Sequence, residues 1–144
     1  MNTDKKTRIE DWNAITERVI GCAFRVGNTL GVGFLEKVYE RALIAELRLR
    51  GLSAESQVPL KVVYKGEAVG DYFADVLVEG QLIIELKCCD CLGDEIIAQC
   101  INYLTITGKP LLLLVNFQNP RLEWRRIVAK RKSTSRTPAS NGAE

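Results

Sequence analysis

Residues 71–87, with the sequence DYFADVLVEGQLIIELK, decide the fold of this chain. Two short segments rich in apolar residues, Tyr72–Val78 and Leu82–Leu86, flank the link 79–81 (EGQ). Aromatic and β-branched side chains favour strands, and glycine favours turns. The stretch therefore predicts a β-hairpin.

Charged residues stand inside this apolar hairpin. Asp75 lies within the first strand, and Glu85 and Lys87 lie at the end of the second. Carboxylates and lysines are rarely buried unless they are paired or bind a metal. Two acids and a lysine on adjacent strands therefore indicate a functional site.

The length of the hairpin loop decides whether the two acids can meet. A two-residue loop would place Asp75 opposite Ile84, and Glu85 would then point to the other face of the sheet. A three-residue loop at 79–81, or a bulge, places Asp75 opposite Glu85. The Glu-Gly pair at the loop is not the Asn-Gly or Asp-Gly pair that two-residue loops prefer. The site hypothesis therefore requires the longer loop.

Composition limits both the class of protein and its chemistry. The chain has 144 residues, of which 47% are hydrophobic and 26% charged, as is typical of one globular domain. It has no histidine, so Ser-His-Asp and Cys-His catalysis and histidine-containing zinc sites are excluded. Acid–base chemistry must then come from carboxylates, Lys, Tyr, Cys or water on a metal.

Other features of the composition indicate the compartment. The longest purely aliphatic run, Leu111–Val115, is far shorter than the ~20 residues of a membrane-spanning helix. Residues 1–12 lack the apolar core of a signal peptide. The five cysteines, an odd number, fit reduced thiols better than a disulfide framework. We therefore expect a cytoplasmic protein that has no membrane partner.

Charge divides the chain into an acidic body and a basic end. Residues 9–120 hold 10 Lys or Arg against 15 Asp or Glu, a net charge of −5, and residues 121–144 hold 7 against 2, a net charge of +5. The basic end includes Trp124 among its arginines, so it could follow a nucleic-acid backbone and stack on a base. The alternative is a solvated, charged edge and tail.

Periodicity and turn residues predict the remaining elements. The predicted helices are 11–30, 34–50 and 95–107, and the predicted strands besides the hairpin are 57–64, 111–117 and 123–129. The resulting order, ααβββαββ, indicates an α/β fold with a mixed β-sheet flanked by helices.

The predicted elements divide the chain into three segments. Residues 1–8 are polar and predicted to form a flexible N-terminus. Residues 9–129 form the folded domain. Residues 130–144 have too little apolar surface to fold, so they are predicted to be a disordered basic tail.

The hairpin acids are suited to a hard divalent cation. Asp75 and Glu85 could hold Mg²⁺, or Mn²⁺ in its place, and leave several waters on the ion. Such an ion polarises a phosphoryl oxygen and activates water, and Lys87 could orient that water or offset charge on the phosphate. Glu36 or Glu40, which share one face of the second helix, could complete the shell. The alternative for these two glutamates is an exposed helix surface.

Two further groups of residues leave alternatives open. Gln99 and Tyr103 share a face of the third helix, where they could bind phosphate, or Tyr103 could simply be packed. The cluster at 88–91 (CCDC) could join Cys100 in a four-thiolate metal site. Adjacent cysteines on a strand diverge, however, and ordinary reduced cysteines are the alternative.

The order of these motifs resembles a known family. The pattern D-x9-E-x-K on a hairpin, which follows an acidic helix, is similar to that of the PD-(D/E)XK nuclease superfamily. Residues 33–43 (GFLEKVYERAL) carry Gly33, Glu36 and Tyr39 in the pattern of the GxxExxY proteins, and the stretches FADVLVEGQLIIELK and AQCINYL also fit that family. The resemblance covers residues 12–128.

The resemblance implies a restriction-endonuclease-like core and a set of roles. Asp75 and Glu85 would be metal ligands, Lys87 the catalytic lysine and Glu36 the helix acid. The Gln99 and Tyr103 pair resembles the Q-x3-Y motif of the exonuclease branch, which is thought to help bind substrate.

The function expected from the sequence is a Mg²⁺-dependent nuclease that hydrolyses phosphodiester bonds of DNA or RNA. Glu36, Asp75 and Glu85 are the expected metal ligands, and Glu40 is the reserve ligand. The main alternative is a non-catalytic module on the same fold that binds nucleic acid or a partner protein. A third hypothesis is a redox-sensing thiolate metal site. A homodimer is one assembly to be considered.

Overall fold

The computed structural model describes residues 5–129, and it describes the side chains of residues 11–129. The elements follow the predicted order ααβββαββ. Their bounds are α1 (Lys5–Leu30), α2 (Glu36–Leu49), β1 (Ala54–Tyr64), β2 (Glu67–Val78), β3 (Leu82–Lys87), α3 (Asp94–Thr107), β4 (Leu111–Asn116) and β5 (Glu123–Val128).

Three elements begin at least three residues earlier than predicted. Helix α1 starts at Lys5 rather than near residue 11, so residues 5–8 of the predicted flexible N-terminus are helical. Strands β1 and β2 start at Ala54 and Glu67, because their antiparallel pairing supplies backbone partners where the apolar alternation is weak. Residues 1–4 and the predicted tail at 130–144 lie outside the described part of the chain.

The five strands form one mixed sheet in the order β1-β2-β3-β4-β5. Strands β3 and β4 pair in parallel, with α3 as the crossover between them, and the other neighbours are antiparallel. A parallel pair needs such a crossover, and its strands are covered on both faces. All six residues of β4 are buried, as the continuous apolar run predicts.

Two apolar layers cover the central strands. Ile84 of β3 and Leu113 of β4 lie in the layer under α1 and α2, whereas Ile83 and Leu112 lie in the layer under α3. Successive residues of these strands therefore serve opposite layers. Within residues 5–129, no helix has the length and hydropathy that crossing a membrane requires.

The hairpin adopts the register that the site hypothesis requires. Val78 pairs with Leu82, and Val76 pairs with Ile84, so residues 79–81 form a three-residue loop. Both Glu79 (φ 53°) and Gly80 (φ 71°) are left-handed in this loop. The same register continued by one residue sets Asp75 opposite Glu85.

A change of face occurs in β1 and β2 beside Asp75. Cα pairing passes from Ser56 with Val76 directly to Val58 with Ala74, and no pair joins Gln57 to Asp75. Val76 belongs to the layer under α1 and α2, but Ala74 belongs to the layer under α3. Residues two apart normally share a face. Gln57, a non-glycine residue with φ 52°, therefore lies where the alternation reverses.

Candidate active site

The two hairpin carboxylates lie where the ladder between β2 and β3 ends. The Asp75 Oδ2 atom accepts a hydrogen bond of 2.9 Å from the backbone N–H of Leu86. Glu85 is buried, with only 7% of its surface exposed, and its carboxylate accepts a hydrogen bond from the Tyr72 hydroxyl. Each acid is thus held in place by β2 or β3 itself.

Burial and proximity disfavour the ionised form of this pair. Burial, followed by the negative charge of Asp75, raises the pKa of Glu85 from its ordinary value of 4.5 to about 7. Burial also raises the pKa of Asp75. Hydrogen bonds from Leu86 and Gln57 lower this pKa, but the effect of burial is larger. A buried carboxylate pair of this kind gains from a nearby cation, which would favour ionisation of both groups. The pair therefore fits a divalent metal.

Lys87 lies on the same face of β3 as Glu85, because the two residues are two positions apart. Its side chain is half-buried, and its charge lowers the pKa of both Glu85 and Asp75. Ion pairs within 4.0 Å among the described side chains join Arg25 to Glu46, Lys37 to Glu40 and Arg50 to Glu46. Among those side chains, therefore, no carboxylate holds the Lys87 ammonium at that distance.

The helix acids occupy different surroundings. Glu36, at the start of α2, accepts a hydrogen bond of 3.1 Å from the backbone N–H of Cys88. Glu40 lies one turn later and is 4% exposed. Its carboxylate accepts hydrogen bonds from the Ser56 hydroxyl at 2.6 Å and from the Gln57 amide at 3.1 Å. Glu36 thus faces the end of β3, and Glu40 faces β1.

Gln57 connects Glu40 to the hairpin. Its Nε2 atom donates to Glu40 Oε1 at 3.1 Å and to Asp75 Oδ1 at 3.3 Å. One amide group therefore lies between two carboxylates, where it can offset their repulsion with its two N–H donors. The negative charge of Glu40 also contributes to the raised pKa of Asp75. These contacts link the reserve acid Glu40, rather than Glu36, to Asp75.

The predicted cluster of three acids is only partly assembled. Asp75 and Glu85 come together, but among the described side chains no group of three His, Cys, Asp or Glu residues is arranged to hold a metal ion. The Gln57 amide stands between Glu40 and Asp75, and Glu36 is engaged with Cys88. A third carboxylate ligand would have to leave its present partner.

The predicted substrate residues on α3 differ in exposure. Gln99 is exposed, whereas the half-buried Tyr103 ring stacks on Tyr72 with 3.9 Å between centroids and 22° between planes. The Tyr103 ring is therefore packed, which was the alternative to phosphate binding considered above. The stack also holds the Tyr72 ring whose hydroxyl binds Glu85, so Tyr103 supports the site through Tyr72.

Sequence periodicity misses Tyr72. Strict alternation along β2 would place Tyr72 on the same face as Val76, away from Glu85. The reversal beside Asp75 moves Tyr72 into the layer under α3, where it meets Glu85. The only local signal that Tyr72 belongs to the site is its position three residues before Asp75, and that signal is weak.

The cysteines do not form the thiolate site considered above. Cys88 packs on the layer under α1 and α2, and Cys89 packs on the layer under α3. All five cysteines are free, and the described side chains hold no cysteine cluster suited to a metal. Burial raises the pKa of Cys100 to about 12, so that thiol stays protonated. Cys88 and Cys89 follow the end of β3 rather than lying on it, but they diverge to opposite layers as predicted.

Asn116 fixes the chain that follows Lys87, a role that local patterns do not indicate. It pairs with Lys87 across β3 and β4 and is 1% exposed. Its Oδ1 atom accepts from the N–H of Cys89 at 3.1 Å, and its Nδ2 atom donates to the carbonyl of Cys89 at 2.8 Å and to Glu123 at 3.0 Å. These bonds set the path of the loop that follows Lys87.

The G-x-x-E-x-x-Y residues close the loop between α1 and α2. Gly33 has φ 105°, a conformation that favours glycine. The buried Tyr39 donates from its hydroxyl to the carbonyl of Gly31 at 2.5 Å and accepts from the N–H of Phe34 at 3.3 Å. Glu36 then ties this loop to β3 through Cys88. The motif thus has a structural role in joining the helices to the hairpin.

Comparisons with known proteins agree with this fold. A family model described as PD-(D/E)XK nuclease superfamily matches residues 13–127. A solved structure, that of SSO0001, is similar with a TM-score of 0.50 and 17% sequence identity, over 67% of this chain. The match covers 52% of that chain, so this chain spans about half of its length. At this identity the likeness shows the fold alone. No curated protein matches the sequence.

Proposed function

This chain belongs to the PD-(D/E)XK nuclease superfamily, and from that premise we propose that it is a nuclease that uses a divalent metal to hydrolyse phosphodiester bonds of DNA or RNA. The observation that carries the proposal is the hairpin register, which brings Asp75 opposite Glu85 and leaves Lys87 on the Glu85 face. Superfamily members generally use divalent ions, and Mg²⁺ or Mn²⁺ is the ion proposed here.

The hairpin carboxylates would hold the metal. Asp75 and Glu85 offer the oxygen ligands that Mg²⁺ and Mn²⁺ prefer. When bound, such an ion supplies Lewis acidity toward a phosphoryl oxygen and toward water. The Leu86 N–H orients Asp75, and the Tyr72 hydroxyl orients Glu85.

A third acid would come from α2. The contacts favour Glu40 over Glu36, because the Gln57 amide already links Glu40 to Asp75. Rotation of the Gln57 side chain would free both carboxylates. Glu36 would then keep the role of anchoring the start of α2 to Cys88.

Lys87 would act on the substrate phosphate. Its ammonium has no carboxylate partner within 4.0 Å among the described side chains, so it is free to donate to a non-bridging oxygen. A cation in a half-buried position offsets the negative charge that develops there more strongly than it would in water. The exposed Gln99 is proposed to bind substrate next to it, with Tyr103.

A nuclease assay tests this proposal. Wild type and Lys87→Ala are compared on single- and double-stranded DNA and RNA with Mg²⁺ or Mn²⁺, and Lys61→Ala, an exposed lysine of β1, is the matched control. We expect Lys87→Ala to lose roughly 100-fold or more of the activity, since charge stabilisation of this kind is worth about 3 kcal/mol. Equal activity in all three proteins would contradict the proposal.

One observation favours the non-catalytic alternative. Glu36 and Glu40 are both engaged by hydrogen bonds, and the described side chains hold no ready group of three metal-binding residues. A module that binds nucleic acid or a protein on the same fold would have this arrangement. Titration calorimetry separates the two: absence of Mg²⁺ or Mn²⁺ binding, with no change on Asp75→Ala, would favour the module.

Finer assignments stay proposals. Membership of the GxxExxY family is proposed from Gly33, Glu36 and Tyr39 and from the contacts that join them to the α1–α2 loop. Cytoplasmic location and a homodimer also stay predictions.

A further inference from the structure

A cavity of about 810 Å³ opens beside the C-terminal half of α1. Residues of α1, of the loop before α2 and of the loop between β4 and β5 line it. Its volume falls within the range of roughly 300–1,000 Å³ that is usual for pockets that bind small organic molecules. Neither hairpin acid lines it, so it is distinct from the metal site proposed above.

The lining combines aromatic, amide and cationic groups. Phe24 is 39% exposed at the cavity, and the buried Phe117 ring lies deeper. Asn28 and Asn119 supply amides, and Arg121 is the single charged residue of the described lining. The described lining contains no carboxylate, although the body of the chain is acidic. These groups suit a planar aromatic ligand that carries a negative charge, as a nucleotide does.

Gly27 keeps the cavity open. It lies within α1, where glycine is less favourable than alanine by about 1 kcal/mol. A Cβ atom at this position would meet only the Phe117 ring, at 3.8 and 3.9 Å, which is ordinary contact. Neither steric conflict nor backbone conformation therefore explains the glycine. Its effect is to leave the space above Phe117 free.

The cavity and the proposed active site both lie near the end of the sheet where β3 and β4 finish. The N–H of Phe117 donates to the carbonyl of Lys87 at 2.9 Å. The residue that forms the base of the cavity is therefore hydrogen-bonded to the proposed catalytic lysine. The Lys87 side chain lies on the α3 face and the cavity on the α1 face, so a strand bound at Lys87 would have to pass the end of β3 and β4 to reach the cavity.

We propose that this cavity binds one nucleotide of a single-stranded segment of the substrate, with the base against Phe24 and the phosphate toward Arg121. The proposal rests on the proposed function for the identity of the substrate. Binding does not require cleavage, so the two can be tested separately.

The test measures binding of a short fluorescent single-stranded DNA oligonucleotide by anisotropy, in EDTA to prevent cleavage. Gly27→Leu fills the cavity, and Ala14→Leu adds the same side chain to an exposed position of α1 as the matched control. We expect Gly27→Leu to weaken binding roughly tenfold, because stacking of one base is worth about 1–3 kcal/mol. Ala14→Leu should bind like wild type.

A second pair of variants guards against misfolding. Phe24→Ala removes the exposed ring without filling the cavity and should also weaken binding roughly tenfold. Phe73→Ala removes a ring that is 53% exposed on β2 and should leave binding unchanged. Thermal melting checks that all four variants fold. An iododeoxyuridine placed in the oligonucleotide should crosslink to Phe24 on irradiation.

The outcomes distinguish the two proposals. Wild-type affinity in both Gly27→Leu and Phe24→Ala, or no binding by wild type, would overturn the cavity proposal even if the protein cleaves nucleic acid. Weakened binding in both variants, together with no cleavage by wild type, would uphold the cavity and overturn the nuclease.

Discussion

At the residue scale, the candidate site depends on groups that hold the acids rather than on the acids alone. Tyr72, Gln57 and the backbone of Leu86 each donate a hydrogen bond to Asp75 or Glu85. A buried carboxylate without such donors would be costly. The orientation of the proposed ligands is therefore set by neutral neighbours that carry no catalytic signature of their own.

Tyr72→Phe should impair activity without unfolding the protein. The variant keeps the ring stacked on Tyr103 but removes the hydrogen bond to Glu85. A hydrogen bond to a charged group is worth about 1.5–3 kcal/mol, so we expect kcat/KM to fall roughly 10–100-fold and Mn²⁺ affinity to fall with it. The exposed Tyr64, changed to Phe, is the control. Loss of stability with unchanged metal affinity would contradict a positioning role.

Glu85→Gln should stabilise the metal-free protein in a pH-dependent way. The pKa of Glu85 is about 7 in the folded protein against an ordinary 4.5, so the unfolded chain loses this proton first as the pH rises. The contribution of Glu85 to the free energy of unfolding therefore decreases by on the order of 3 kcal/mol as the pH rises from about 4.5 to about 7. Glutamine does not titrate and avoids that loss.

Denaturant unfolding in EDTA checks this prediction. Glu85→Gln should be more stable than wild type at about pH 8 and close to wild type at about pH 4. A stability difference of equal size at both pH values would show that burial does not disfavour the Glu85 carboxylate.

At the scale of elements, the β2–β3 hairpin determines whether a site exists. Its three-residue loop sets the face on which every side chain of β3 points, because a slip of one residue would reverse them all. Left-handed residues at Glu79 and Gly80 close that loop. Asn116, at the end of β4, then holds the chain that follows Lys87 through hydrogen bonds to Cys89. The site is thus built from strand ends and one turn.

Gly80→Ala should weaken the hairpin. Gly80 has φ 71°, which an L-amino acid with a Cβ adopts at a cost of about 1 kcal/mol, and the space around it is open. The free energy of unfolding should fall by that amount. Gly21→Ala is the control, since Gly21 lies within α1, has no positive φ and has equally open space, so alanine there should not lower the stability. Equal effects of the two changes, measured by denaturant unfolding, would contradict the role of the left-handed turn.

At the scale of the whole molecule, the mixed sheet separates the two proposed sites. Its α3 side carries Glu85 and the Tyr72–Tyr103 stack, and its other side carries the cavity beside α1. The reversal of side-chain alternation at Gln57 lies between these two sides of the sheet. There Asp75 contacts β3 directly, through Leu86, and is linked to α2 through Gln57. The proposed metal site therefore lies at the point where the two layers meet.

Divalent metal should stabilise the whole domain. Because the metal binds the folded site and not the unfolded chain, Mn²⁺ at about 100 times its Kd should raise the free energy of unfolding by about 2–3 kcal/mol. Asp75→Asn should abolish this gain. Asp71→Asn, an exposed aspartate on the same strand, should keep it. Thermal melts with and without Mn²⁺ measure the shift, and no shift in wild type would contradict the metal site.

Local sequence patterns were enough to predict the order of elements, the β2–β3 hairpin and the PD-(D/E)XK superfamily, whereas they left the length of the hairpin loop open. Alternation, turn residues and the spacing of Asp75, Glu85 and Lys87 are local signals, and they act over a few residues of chain. The site hypothesis required a three-residue loop, and the structure has that loop, with Val78 paired with Leu82 and Val76 with Ile84.

The residues that contact the two hairpin acids become apparent only in the tertiary structure. Gln57 reverses the alternation of its strand through a left-handed conformation that a non-glycine residue rarely adopts, so no periodic pattern indicates it. That reversal brings Tyr72 to Glu85. The choice between Glu36 and Glu40 likewise depends on contacts with Cys88 and Gln57, which are distant along the chain. Such contacts form only when elements distant along the chain pack together, so local sequence patterns do not predict them.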